Sequence, residues 1–282
     1  MIKRTVCRMN KLEKTGAAVL GGLGIYALLL RPRRNHPGWD ALSGVRYAHR
    51  GLHDMSIGVP ENSLAAFRRA VEHGFGAELD VHLMADGGLA VVHDSSLARV
   101  CGKSVRIEDL TAADLPGCTL MGTEETVPLL RDVLALFEGK TPLIIELKVE
   151  RGNAAALTDA VVAMLKGWNG TCCVESFHPG VLRRLKQKYP EVIRGQLSQS
   201  FLSGEHTGMG FAADFVMTHL LTTFLTKPDF IAYRHEHRGS VSLRLMKKLY
   251  GVHEAAWTVR DRKTMEALDT DGAISIFEGF IP

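Results

Sequence analysis

The chain is poor in cysteine. It holds five, Cys7, Cys101, Cys118, Cys172 and Cys173, two of them adjacent and none in a C-x-x-C spacing. An odd count without paired spacing excludes a disulfide framework, and the missing C-x-x-C argues against a structural zinc site. Free thiols fit a reducing environment for the body of the chain. There is little net charge either. The total is +3, and the first 46 residues carry nine Lys/Arg against Glu13 and Asp40, leaving the remaining 236 at −4. Such a body has no basic footprint, so nucleic acid is not an expected partner. No internal repeat, low-complexity tract or glycine-rich phosphate loop is present. The last absence argues against an open, doubly wound nucleotide-binding sheet.

Long apolar runs are also missing. The longest apolar, glycine-rich stretch is "GAAVLGGLGIYALLL", fifteen uncharged residues from Gly16 to Leu30. That is short of the ~20 residues of a comfortable membrane span. Basic residues flank it on both sides, and "RPRR" from Arg31 stands where a signal-peptide cleavage site would fall. Three readings stay open: an uncleaved membrane anchor over residues 1–35, a cleaved signal, or a buried helix. The anchor suits the flanking charges best and predicts a cell-membrane location with the membrane as a partner.

What is abundant is alternation. From residue 45 to 282, strand-like apolar runs alternate with amphipathic helical runs. Strands are expected at Arg46–His49, Ala77–Val81, Leu143–Leu147, Cys172–Ser176, Ile193–Leu197, Asp229–Tyr233, Ala255–Val259 and Ala273–Phe277. The first intervening helix has Ser63 as N-cap and Gly74 as its stop. Others are expected at 126–138, 153–167, 180–189, 211–226, 240–250 and 261–269. Eight strands with intervening helices predict an α/β fold, a (β/α)8 TIM barrel preceded by the N-terminal hydrophobic helix. Two segments break the rhythm. "ELDVHLMADGGLAVVHD" predicts a hairpin turning at Asp86-Gly87, with Asp80 across from His93, or slipped so that His82 faces His93. Residues 95–125 read as an insertion after the second strand.

Chemistry in such a barrel collects at the C-terminal strand ends. There the sequence puts His49 and Arg50 on strand one, Glu78 and Asp80 on strand two with His93 returned by the hairpin, Glu146 and Lys148 on strand three, and Trp257 on a late strand. Glu78 and Asp80 share a strand face, as do Glu146 and Lys148. Carboxylates packed among apolar residues need a cation, and three of them without Cys or His ligands suit Mg2+ or Ca2+. His49 and His93 then suit an acid–base pair, and Arg50 and Lys148 suit contacts to an anionic phosphoryl group. Phosphodiester cleavage uses all of these at once; simple acyl hydrolysis leaves half of them idle.

In this order and spacing, "AHRG", "PENS", "ELDV…DGG…VVHD", "IELK", "SF" and "AWTV" resemble the glycerophosphodiester phosphodiesterase family over about residues 45–280. The resemblance implies a barrel with an insertion after strand two, a divalent metal on Glu78, Asp80 and Glu146, and His49 and His93 as the catalytic pair. It implies Arg50 and Lys148 as phosphate contacts, Trp257 as pocket wall, and Glu61 with Asn62 as organisers of the loop near the metal. The chain departs from the family pattern at Ser63, at Glu175 in "ESF", and at the last strand, where Glu278 replaces the usual terminal Asp. His53 and Asp54 have no assigned role. The expected reaction is metal-dependent hydrolysis of a glycerophosphodiester to glycerol 3-phosphate and an alcohol. The rivals are phospholipase D-like hydrolysis of lyso- or intact phospholipids and a non-catalytic, membrane-tethered glycerophosphoryl-binding module.

Overall fold

In a computed structural model describing residues 11–33 and 36–282, the alternating apolar runs become one closed sheet. Among the described residues its strands are β1 (Tyr47–His49), β2 (Gly76–Leu83), β3 (Leu89–Val91), β4 (Leu143–Leu147), β5 (Cys172–Ser176), β6 (Arg194–Ser198), β7 (Phe230–Arg234), β8 (His253–Val259) and β9 (Ile274–Phe277). The helices are α1 (Lys11–Leu29), α2 (Leu64–Glu72), α3 (Ala98–Cys101), α4 (Leu130–Phe137), α5 (Ala154–Leu165), α6 (Pro179–Lys188), α7 (Phe211–Thr218), α8 (Thr223–Thr226), α9 (Val241–Tyr250) and α10 (Arg262–Thr270). All strands but β3 are parallel to their neighbours, and β1 pairs with both β2 and β9, which closes the barrel. The TIM barrel is therefore present. β4 and β5 fall where they are expected, and the other barrel strands differ by a few residues at their ends.

The hairpin matches neither expected register. Val81 pairs with Val91 and His82 with Ala90, so Asp80 stands opposite Val92 rather than His93. The cause is a three-residue turn at 85–87 instead of two. Gly87 takes φ +83° in the left-handed region, the Gly87 amide donates to the Met84 carbonyl, and the Gly88 amide to the Asp86 carboxylate. The insertion is ordered. Val92, Val100, Ile107, Leu115 and Leu120 share a small core there, and buried His82 anchors it through Glu108 at 2.6 Å. The helix expected from residue 126 starts only at Leu130, because Leu129 bridges to Ala90 and the Pro128 carbonyl accepts from Val91. The helix expected over 211–226 splits into α7 and α8 around Leu220 at φ +55°.

Ser63 caps α2 as expected, accepting from the Ala66 amide at 3.0 Å. A cap of this kind contributes about 1 kcal/mol. The larger core lies between sheet and helices, where Phe67, Val133, Phe137, Leu157, Val161 and Leu185 pack on the outward strand faces. Inside the barrel, Tyr47, Ile144, Cys173, Phe230, Ala255 and Ile276 fill the lower layers. Trp39 lies in the same cluster and stacks on His253 at the start of β8 with centroids 4.3 Å apart. The inward-facing carboxylates Glu78, Asp80, Glu146 and Glu175 stand above this plug. Gly195 shows how tight the plug is: a Cβ there would lie 2.1 Å from the Phe230 ring. Gly195→Ala is expected to cost about 1–3 kcal/mol by overpacking, read as a drop in thermal or denaturant midpoint.

Helix α1 occupies most of the N-terminal apolar stretch. Tyr26 hydrogen-bonds Ser242 at 2.7 Å, and Leu30 is buried against Leu220, Ile231, Leu243 and Met246. Arg33 pairs with Asp229 beneath β7. By contrast Val19, Leu20, Leu23, Ile25 and Leu28 are exposed. Among the described residues no helix is long and apolar enough to cross a membrane. Lys3, Arg4, Arg8 and Arg34 of the expected anchor lie outside the described residues.

Candidate active site

Parallel pairing carries the strand alternation round the barrel, so His49, Glu78, Asp80, Glu146 and Glu175 emerge above the apolar plug. A cavity of about 310 Å3 opens at this end, lined by His49, Glu78, Glu146 and Glu175 together with Arg50, His93, Lys148, Phe177 and Trp257. The sequence thus predicts the occupants of one mouth, and the fold brings them together.

Glu78, Asp80 and Glu146 are buried and each offers an oxygen within 4.8 Å of the others. Their electrostatics are unequal. Burial, then the charges of Asp80 and Glu146, push Glu78 well above the ordinary carboxylate range. Burial also works against Asp80, but Lys148, His93 and Arg50 outweigh it and hold that carboxyl well below its usual value. Burial raises Glu146 despite Lys148. The Lys148 ammonium sits 2.9 Å from Asp80 and 2.8 Å from Glu146. Burial disfavours its charge, yet those two carboxylates keep it protonated. Glu78 is left with the Arg50 amide at 3.2 Å and the His49 Nε2 at 3.9 Å. Three oxygens converging with one of them uncompensated fit a hard divalent cation.

Asn62 and Glu61 act more directly than loop organisation implies. Asn62, at φ +53°, donates from Nδ2 to the Asp80 carboxylate at 2.9 Å. Glu61 accepts from Arg50 at 2.9 Å and from Arg99 at 2.7 and 2.9 Å. Arg50 itself has φ +55°, and its Nε lies 3.6 Å from Asp80 without a hydrogen bond. Its guanidinium is thus held at the cavity wall by two carboxylates.

Each imidazole has a carboxylate behind it. His49 Nδ1 lies 3.2 Å from Glu278, and His93 Nδ1 lies 2.6 Å from Asp94. A carboxylate only accepts, so the neutral rings carry their proton on Nδ1 and keep the Nε2 lone pair. Glu278 also takes Arg260 at 2.9 Å and lies 3.5 Å from His53. The hydrogen bond from His49, together with the nearby His53 and Arg260, holds its carboxyl far below the ordinary range. Asp94 is fixed by Arg99 at 2.5 Å. His53 therefore gains a place beside Glu278, while Asp54 caps a short turn through Ser56. Asp94 is missed by sequence reasoning although it follows His93 in "VVHD"; nothing in one sequence says that an adjacent side chain will fold back. Glu278 stands out only as a departure at the last strand.

Trp257 forms one wall, edge-on to Phe177 with ring centroids 5.8 Å apart. At the rim, Arg234 pairs with Glu236 at 3.2 Å and lies 3.7 Å from Glu205. A second cavity, of about 310 Å3, shares His93, Glu146, Lys148 and Phe177 with the first and runs out past Phe201, Met209 and Met217.

The glycerophosphoryl diester phosphodiesterase family matches residues 49–279. A glycerophosphodiester phosphodiesterase of Caldanaerobacter subterraneus is 33% identical over 164 residues, covering 54% of this chain and 65% of its own length. Glycerophosphodiester phosphodiesterase 1 of Bos taurus is 28% identical over 270 residues, covering 82% of this chain and 74% of its own. Among solved structures, an Oleispira antarctica phosphodiesterase in complex with the product sn-glycerol-3-phosphate superposes with a TM-score of 0.67 at 22% identity, over 87% of this chain and 95% of that one. With the barrel and its mouth as described, the chain belongs to the glycerophosphoryl diester phosphodiesterase family.

Proposed function

We propose that this chain hydrolyses glycerophosphodiesters to glycerol 3-phosphate and an alcohol, with His49 and His93 as the acid–base pair. One observation supports this above the others: two imidazoles, both presenting Nε2, share a mouth with the Glu78–Asp80–Glu146 triad and the cations Arg50 and Lys148. Glu78, Asp80 and Glu146 would hold the divalent cation. When bound, it supplies a Lewis acid that polarises a phosphoryl oxygen. Arg50 and Lys148 contact the phosphoryl oxygens that gain charge as the ester bond breaks. One imidazole removes the proton of the attacking hydroxyl, and the other protonates the departing oxygen. Attack by the glycerol 2-hydroxyl gives a cyclic phosphate that water opens; direct attack by water uses the same side chains. A substrate panel run with Mg2+ and with Ca2+ tests the assignment. Accumulation of a cyclic phosphate in phosphorus NMR identifies the first route, and its absence under single turnover identifies the second.

The pH dependence has a definite sign. Burial lowers His49, against the raising effect of the hydrogen bond its ring donates to Glu278, and burial lowers His93 against a raising charge on Asp80. The proton-accepting imidazole is lost as pH falls through these lowered values. The acid limb of kcat/KM is therefore expected below the ordinary histidine value of ~6.5. A limb centred above it contradicts the assignment.

The cavity beyond Phe177 favours a second reading, in which an acylated substrate is cleaved with its chain along Phe201, Met209 and Met217. Paired assays of glycerophosphocholine and lysophosphatidylcholine separate the two. The exposed apolar residues of α1 support a membrane location, with the N-terminal segment as the anchor. Protease accessibility in intact cells tests the location.

A further inference from the structure

One flank of the barrel is inverted in polarity. Helices α2, α4, α5 and α6 bury their large apolar side chains against the sheet. In the α7–α8 segment the inward side is largely polar: Thr218, Thr222, Thr223 and Thr226 are buried. β6 meets them with polar groups. Thr222 Oγ1 lies 3.3 Å from the Gln196 amide oxygen, and Arg194 Nε donates to the Thr226 carbonyl at 3.1 Å. The large apolar residues of the same segment face solvent instead. Phe211 is 74% exposed and Met209 71%, and Phe215, Phe224 and Leu225 are exposed as well. Phe211 and Phe215 stand one helical turn apart with ring centroids at 6.3 Å, so the rings form a stripe. Apolar surface left outside while polar surface is buried marks an interaction face.

Two neighbours of the stripe indicate what covers it. Helix α1 packs on α8 and leaves Val19, Leu20, Leu23 and Leu28 exposed, which enlarges the apolar surface. Beside Phe224 and Leu225 stand three cations. Lys186 Nζ donates to the Leu225 carbonyl at 2.9 Å, and Lys227 Nζ to the Arg31 carbonyl at 2.8 Å. Burial, then the charges of Lys186 and Arg31, lower Lys227, and no carboxylate offsets them. Exposed rings beside uncompensated cations complement a bilayer with anionic headgroups: the rings enter the acyl boundary and the cations meet phosphates. A second copy of this chain fits less well, because a twofold interface sets the same cationic patch against itself. Building on the membrane location read above, we propose that the α7–α8 flank, with Arg31, Lys186 and Lys227, docks on a bilayer carrying anionic lipid, as a contact separate from the N-terminal segment. Met209 belongs both to this stripe and to the wall of the apolar cavity beside the mouth, so docking brings that cavity to the lipid surface.

The test uses the full-length protein with vesicles of phosphatidylcholine, with or without phosphatidylglycerol, whose acyl chains carry bromine. Phe211→Trp and Phe224→Trp each add one fluorescent reporter to the flank, and the wild type gives the background of its own tryptophans. Bromine is expected to quench the added emission at least about twofold in the anionic vesicles, and far less in the neutral ones. Replacing Arg31, Lys186 and Lys227 together by Gln is expected to return the Phe224→Trp reporter to its level in neutral vesicles. If the protein floats with the vesicles and neither reporter is quenched, the N-terminal segment alone holds it; the docking flank is then overturned and the membrane location stands. If the protein does not float, both readings fall. Equal quenching in neutral and anionic vesicles removes the cations from the contact and overturns the proposal. A blue-shifted reporter without lipid, with a doubled mass in sedimentation, assigns the stripe to a second copy and overturns it too. Thermal unfolding checks each variant. Should the triple variant fail to fold, the two reporters and the neutral-to-anionic comparison decide the matter.

Discussion

His93→Ala is expected to lower kcat by on the order of 10²–10⁴, with KM changed far less. His93 comes last in the hairpin, its Nδ1 tied to Asp94 and its ring beside Asp80 and Lys148 in the cavity wall. Removing it takes away one of the two proton-transfer groups and leaves the phosphate-contacting cations in place. The substrate should therefore still bind. The same loss is expected of His49→Ala, and the double variant should fall little further than either single one, since both groups serve one transition state. Steady-state kinetics on glycerophosphocholine, with thermal unfolding to confirm the fold, reads both numbers. A His93→Ala enzyme within threefold of the wild type removes His93 from the chemistry.

Asp80→Asn should cost about 10³-fold in activity, the several kcal/mol that metal-assisted charge stabilisation supplies. Asp80 is the hub of the mouth: Asn62 at 2.9 Å, Lys148 at 2.9 Å and Arg50 at 3.6 Å all converge on it. Making it neutral removes one of the three metal-facing oxygens and releases both cations from their shared counter-charge. The signature is a higher metal concentration for half-maximal activity, so that excess cation restores part of the rate. A titration of activity against metal measures it. An Asp80→Asn enzyme with unchanged metal requirement would place the cation elsewhere.

The barrel was legible because its strands are short apolar runs, each followed by an amphipathic helix, and because the apolar alternation stops at one end. Leu143–Leu147 and Cys172–Ser176 are found where they are read. The mouth was legible for the same reason: Glu78, Asp80 and Glu146 are charged residues in strands otherwise too apolar to face solvent, and Lys148 follows directly on β4. The less legible parts depend on turns. One extra residue at Ala85–Gly87 moved the hairpin off both expected registers, and a left-handed Leu220 cut one helix into two. Both outcomes rest on backbone conformations that Gly87 permits and Leu220 does not announce. Partnerships across the mouth were hidden too. Asp94, Arg99 and Glu61 form a chain of ion pairs spanning the insertion and the first loop, and no local spacing reveals a contact between segments so far apart. Asn62 looked like a loop residue and turned out to hold Asp80.

The central claim is that the mouth performs metal-dependent phosphodiester hydrolysis. Phosphorus NMR of glycerophosphocholine with the purified enzyme tests it most directly, run with Mg2+ or Ca2+ and again after chelation by EDTA. Conversion to glycerol 3-phosphate with metal, no conversion after chelation, and recovery when metal is returned are expected. Full conversion in the presence of EDTA, or phosphocholine as the phosphorus-bearing product, would contradict that claim.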